Sequence, residues 1–295
     1  MLVVRLSSKE NAMRYAIAVG LALALGADMK ADVAGPPAPG PERIALADFI
    51  GVVRVVGFEP QDVEAKLNGQ GAMAKHRVAA VQVIEPLKGP KDAKTIRVAF
   101  VPPMAEGPRF RPNFNMELQA GKVGILFVRK HPGQDLYYGT LAYDFVEKLP
   151  EDPNAKNPPR SFFSYDFAST LTDARRRVKL LENPTESLTS KDAAERHLTA
   201  QMLVARYRTA RGPGSKQEAI SADETKLIVS AILGADWKQP ASMEHPFYTF
   251  SRLGLTAKDG WTQPARIGSL AEVQTAAQAW FAGKGQDYCL LRFVD

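Results

Sequence analysis

Residues 76–101 read HRVAAVQVIEPLKGPKDAKTIRVAFV. Two apolar runs flank LKGPKDAK (87–94), a Gly-Pro break set among lysines. The second run alternates. Ile96, Val98 and Phe100 fall on one face, and Thr95, Arg97 and Ala99 on the other, the period of a strand. The run 76–87 is its partner, so the stretch predicts strand, corner, strand. Gly89 supplies backbone freedom, and Pro90 fixes φ and ends pairing. Lys88, Lys91 and Lys94 are expected to keep the corner in water. An anion-binding role is the sharper alternative for Lys88 and Lys91.

Working outward, DFIGVVRVVGF (48–58) is rich in valine and apolar on both faces at its centre. That suits a strand wrapped into a small barrel better than one in a half-exposed sheet. KVGILFVRK (122–130) and DLYYGTLAY (135–143) supply two more strands, with HPGQ as a short hairpin connection. Five strands punctuated by Gly and Pro fit a small barrel of the OB type over residues 44–146.

The order of ALADFIGVVRVVG, RVAAVQVIEPLKG, TIRVAFVPP and LQAGKVGILFV resembles that of the netrin-like module. This is the OB-type barrel also found in tissue inhibitors of metalloproteinases. The resemblance covers about the first third of the mature chain. It implies a barrel that serves as a binding surface. In the inhibitors an N-terminal cysteine chelates the protease zinc, and disulfides brace the fold. The equivalent segment here, PERIALADF (41–49), has no cysteine, and Cys289 is alone in the chain. The resemblance therefore argues against metalloprotease inhibition by that route. Fold by itself does not fix function.

Beyond EKLPEDPNAKNPPRS, a proline-rich linker expected over 147–161, the period turns helical. Helices are predicted over 172–183, 190–210, 221–234 and 269–283. Ser221 with Glu224, and Ser269 with Glu272, have capping-box spacing, and Gly234 and Gly283 close the two helices. RRRVK (175–179) reads as a solvated helix face, and RTARGPGSK (208–216) as a loop. The fold class is α+β: a five-stranded OB-like barrel, then a mainly helical region over 162–295. The terminal DYCLLRFV has strand character, with Cys289 expected as a small buried hydrophobe.

At the other end, Arg14 precedes the apolar run AIAVGLALALG (16–26) and small residues. This predicts a signal peptide over 1–26, cut near Ala27, with Met13 as an alternative start. The run is too short for a comfortable membrane span. A Pro/Gly-rich spacer is expected over 27–43. The net charge of +6 and pI near 9.3 favour anionic surfaces as partners, or serve solubility alone.

The chain lacks GxSxG, HExxH, Walker A and GxGxxG motifs. His76, His131, His197 and His245 are scattered, so neither metal nor cofactor is expected. The loop PPMAEGPRFRPNFNMELQAG (102–121) interleaves Arg109, Phe110, Arg111 and Phe114, able to stack on a ring while pairing with an anion. With Lys88 and Lys91 these are the candidate ligand contacts. The competing reading folds the loop over the barrel mouth with its phenylalanines buried. The sequence thus points to an exported, periplasmic or extracellular, non-catalytic binding or scaffold protein. Its expected partner is an anionic polysaccharide or an envelope protein; export argues against nucleic acid. The alternatives are inhibition of a protease through the barrel rim and a hydrolase with a site between the two regions.

Overall fold

The computed structural model describes residues 40–66, 73–101, 116–139, 144–149, 166–210, 214–240, 242, 244–264 and 269–294. The runs around the Lys-Gly corner form β3 (Ala74–Lys88) and β4 (Thr95–Phe100), antiparallel from Arg77↔Phe100 to Gln82↔Thr95. β1 (Phe49–Phe58) pairs antiparallel with β3 on one side and with β5 (Val123–Lys130) on the other. β5 pairs with the short β6 (Tyr137–Tyr138), and β6 lies parallel to β4. The pairings therefore close a circuit, β1–β3–β4–β6–β5 and back to β1. β2 (Val63–Ala65) attaches to β3, and β7 (Phe145–Glu147) attaches to β5. The described residues thus form a seven-stranded sheet plus a β8–β9 ribbon, with several helices, an α+β protein.

Curvature comes from irregular pairing. The register of β1 against β3 shifts at Ile50/Gly51, Val52/Val53 and Val55/Gly57. Each shift bends and twists the strand, as closure requires. The double-sided apolar pattern of β1 then has a specific cause. Phe49, Val53 and Val55 point into the circuit with Val81, Val98, Phe100 and Leu126. Ile50 and Val52 point outward and are covered in a second cluster by Val178, Met202 and Ala205 of two helices. The end of the 102–121 loop also packs inward, with Met116 and Leu118 buried in the interior cluster.

The corner is more tightly built than a solvated turn. Gly89 has φ +98°, and a Cβ there would lie 2.8 Å from the Asp48 carbonyl oxygen. Only glycine fits both the backbone and the space. Lys88 departs from the expectation of a solvated corner. Its Nζ donates to the carbonyls of Ile44 and Ala45 at 2.8 and 3.0 Å. These belong to α1 (Pro41–Leu46), whose last turn carries carbonyls with no partner inside the helix. The spacer expected over 27–43 thus ends in this helix, with Pro41 at its first turn. Arg43 of α1 pairs with Asp144 at 3.1 Å, and Glu42 pairs with Arg252. Residues 1–39, with the expected signal peptide, lie outside the described residues.

α2 (Phe167–Glu182) begins where the Asp166 carboxylate accepts from the Ser169 N–H at 2.7 Å, five residues before the sequence period suggests. α3 (Pro184–Leu188) follows directly. α4 (Ala193–Arg208) is capped by Asp192, α5 (Ala222–Leu233) by Ser221 and α7 (Leu270–Ala282) by Ser269. The reciprocal half of the expected capping box at α5 is diverted: the Glu224 carboxylate accepts from the Tyr207 hydroxyl at 2.6 Å. α6 (Pro246–Ser251) starts on His245, whose Nδ1 accepts from the Phe247 N–H. β8 (Lys216–Ala219) and β9 (Leu291–Val294) form the ribbon, so the expected loop ends in a strand at Lys216. Cys289 is partly buried, between the more deeply buried Tyr288 and Leu290.

RRRVK is not uniformly solvated. Arg175 reaches both oxygens of Glu85 on β3, and Arg177 is buried against Asp173 and Glu244. The sheet and the helices, read from the sequence as separate domains, share the cluster of Ile50, Val52, Val178 and Met202. The described residues fall within one compact unit. Most of the expected linker, from residue 150 onward, lies outside the described residues. No described helix is long and apolar enough to cross a membrane.

Candidate functional site

A cleft of about 740 Å³ opens where the β5–β6 hairpin faces the C-terminal end of α4. Arg129, Lys130 and His131 line it from the end of β5, Tyr137 and Tyr138 from β6, and Arg206 from the last turn of α4. Asp48 and Pro90 border it beside the Lys-Gly corner.

Strand geometry explains the wall. Successive residues of a strand point to opposite faces. Tyr137 turns inward and meets the Phe49 ring at 5.8 Å. Tyr138 turns outward and meets the His131 ring edge-on at 6.4 Å. Burial raises both phenols above the ordinary tyrosine value. Asp48 adds to the rise at Tyr137, and a hydrogen bond from Arg129 opposes it at Tyr138. Arg129 thus turns part of its guanidinium to a neutral hydroxyl rather than to a carboxylate.

Asp48 is committed elsewhere. One of its carboxylate oxygens accepts the Lys130 backbone N–H at 2.9 Å. Among the described residues no carboxylate lies within ion-pair distance of Arg129, Lys130 or Arg206. Among the described lining residues, three cations therefore stand against one carboxylate.

Two imidazoles have fixed tautomers here. The Gly133 N–H donates to His131 Nδ1, so the neutral ring has its proton on Nε2. His76 Nε2 lies 3.2 Å from the Ala65 carbonyl, which only accepts, so Nδ1 is bare. His131 Nε2 and His76 Nδ1 are both buried without a partner, one a donor and one an acceptor. Burial holds the His76 imidazole below its ordinary value; its Ala65 hydrogen bond and Asp62 oppose this, and His131 reinforces it. Among the described residues no three His, Cys, Asp or Glu side chains gather as metal ligands.

The cleft differs from the set read off the sequence. Arg109, Phe110, Arg111 and Phe114 lie outside the described residues. Lys88 spends its ammonium on α1 carbonyls. Lys91 donates to the Leu87 carbonyl and stands 4.0 Å from Glu182. The residues missed were still visible: VRKHPGQDLYY (128–138) packs cations, a histidine and two tyrosines into one hairpin. What the sequence could not give was Arg206, delivered from α4 to the same opening. No family model matches the chain, and no curated protein matches it.

Proposed function

We propose that the chain is an exported, non-catalytic binding protein built on an OB-type barrel of the netrin-like kind, with the β5–β6 cleft as its ligand site. Two features support the barrel reading: the closed circuit and, among the described residues, its one parallel pair, β4 with β6. The observation that carries the binding role is the cleft, open at the circuit's end and bordered by cations with no carboxylate partner among the described residues. Binding on OB barrels is concentrated on one face and its bordering loops. The cleft's lining combines cationic side chains with the hydroxyls of Tyr137, Tyr138, Thr209 and Ser215.

The test is capture of partners from the native envelope or extracellular fraction by the full chain and by an Arg129→Ala/Arg206→Ala variant. In parallel, both proteins meet generic ester, peptide and glycoside substrates. The expected outcome is capture that the variant loses, with no turnover by either protein. Turnover that the variant loses would replace this reading with a hydrolase whose site is the same cleft.

A further inference from the structure

Resting on that reading, we propose that the cleft recognises an extended acidic polysaccharide, a chain of sugars bearing several carboxylates or sulfates. The argument starts from how the cations are spread. Arg129 and Lys130 are consecutive on β5, so their side chains leave on opposite faces of the strand while both border the opening. Arg206 stands across from them on the last turn of α4. A site for a single small anion gathers its donors on one point, commonly on backbone N–H groups. Here the charges are distributed around a cleft of about 740 Å³, which suits a ligand carrying more than one anionic group.

The remaining lining narrows the class. Single-stranded nucleic acid binds on aromatic faces that are free to stack with bases. Tyr138 is only 6% exposed and is edge-on to His131, and Tyr137 is packed on Phe49. An acidic peptide would be held as an added strand on an open sheet edge. β5 pairs with β1 on one side and with β6 and β7 on the other, so it presents no such edge. What the cleft does offer is cations and polar groups, the Tyr137 phenol, Thr209 and Ser215 among its lining. A hydroxyl-rich polyanion matches both.

The experiment is calorimetric titration of the full chain, at low and at moderate ionic strength. The probes are a uronate oligosaccharide, a sulfated oligosaccharide, a neutral oligosaccharide of equal length, inorganic phosphate, a poly-glutamate peptide and a single-stranded oligonucleotide. Expected are binding of either acidic sugar, weakening with salt, and none of the neutral one. Arg206→Ala, an exposed change that leaves the melting temperature in place, weakens acidic-sugar binding about tenfold, the scale of one charge-assisted contact. Equal binding of the neutral sugar, or no effect of Arg206→Ala, overturns the proposal. So does full competition by inorganic phosphate, or tighter binding of the peptide or oligonucleotide. If no acidic sugar binds while partner capture still depends on Arg129 and Arg206, the ligand class is wrong and the binding-module reading stands. If capture ignores both residues, the module reading itself falls.

Discussion

The interior of the strand circuit and the core of the helical region are built on different principles. The first is aliphatic and ordered by alternation: Val53, Val55, Val81 and Val98 face inward, with Phe49 and Phe100 as the large side chains. The second adds a cluster of rings, drawn from distant segments, to its aliphatic residues. Phe250 meets Trp261 at 5.1 Å and Trp280 at 6.1 Å, and Trp280 meets Tyr288 at 5.6 Å. It also holds polar atoms at depth. Trp280 Nε1 donates to the Asp259 carbonyl, Trp237 Nε1 to the Ile232 carbonyl, and His245 is fully buried. In the strand core the packing repeats along the ladder, one small aliphatic side chain at a time. In the helical core Trp237, Trp280 and Tyr288 each combine packing with a hydrogen bond.

The sharpest way to break that contrast is to remove one ring. Trp280→Ala is expected to destabilise the protein by about 3–5 kcal/mol, through lost contacts and an unpartnered Asp259 carbonyl. Chemical denaturation measures it. Val98→Ala inside the circuit should cost clearly less, and equal losses would erase the distinction.

Acid should reach the helical core first. Burial, with His245 nearby, holds His197 down to about 4, against 6.5 for an ordinary imidazole. The folded pKa is lowered, so this contribution is complete above pH 6.5. It is lost as pH falls toward 4, because the unfolded ring takes a proton that the folded one refuses. The loss by pH 4 is roughly 3 kcal/mol. A His197→Leu variant should flatten the melting temperature between pH 6.5 and 4.5. An unchanged slope would place the sensitivity elsewhere.

The joint between the regions can be loosened next. Lys88→Met removes the ammonium that satisfies two α1 carbonyls, at a cost of about 1–2 kcal/mol. Hydrogen exchange at the end of α1 should rise while that in α7 stays the same. Smallest of all is Arg175→Ala. Its pairing with Glu85 is half exposed, so roughly 0.2–1 kcal/mol is expected, declining with salt. A loss well above that range would mean the pair clamps α2 onto β3.

The same contrast explains what could be read in advance. Alternation in TIRVAFV and the Gly-Pro break located β3, the corner and β4 closely, because period and turn chemistry are local. The caps Ser221 and Ser269 were equally legible. The aromatic core was not, since Trp237, Trp261 and Trp280 lie on three separate segments and no spacing rule joins them. Lys88 misled for a related reason: a lysine beside glycine and proline reads as solvated until a neighbouring helix end is seen to need a donor. The cleft was half legible. Its hairpin wall is one continuous stretch, and Arg206 comes from another.

The parallel contact between β4 and β6 rests on two residue pairs, Val98↔Tyr137 and Ala99↔Tyr138. Mechanically this is a zip with two teeth, as short as the β5–β6 join on the other side of β6. Opened, it would turn the closed circuit into a curved sheet with β4 and β6 as new edges, and free edges invite neighbouring chains to pair. The tyrosines that make the join also wall the cleft. Any occupant touching them gains from the closed form and so keeps the ring fastened. Occupancy of the cleft and resistance to edge-to-edge pairing would then be one equilibrium.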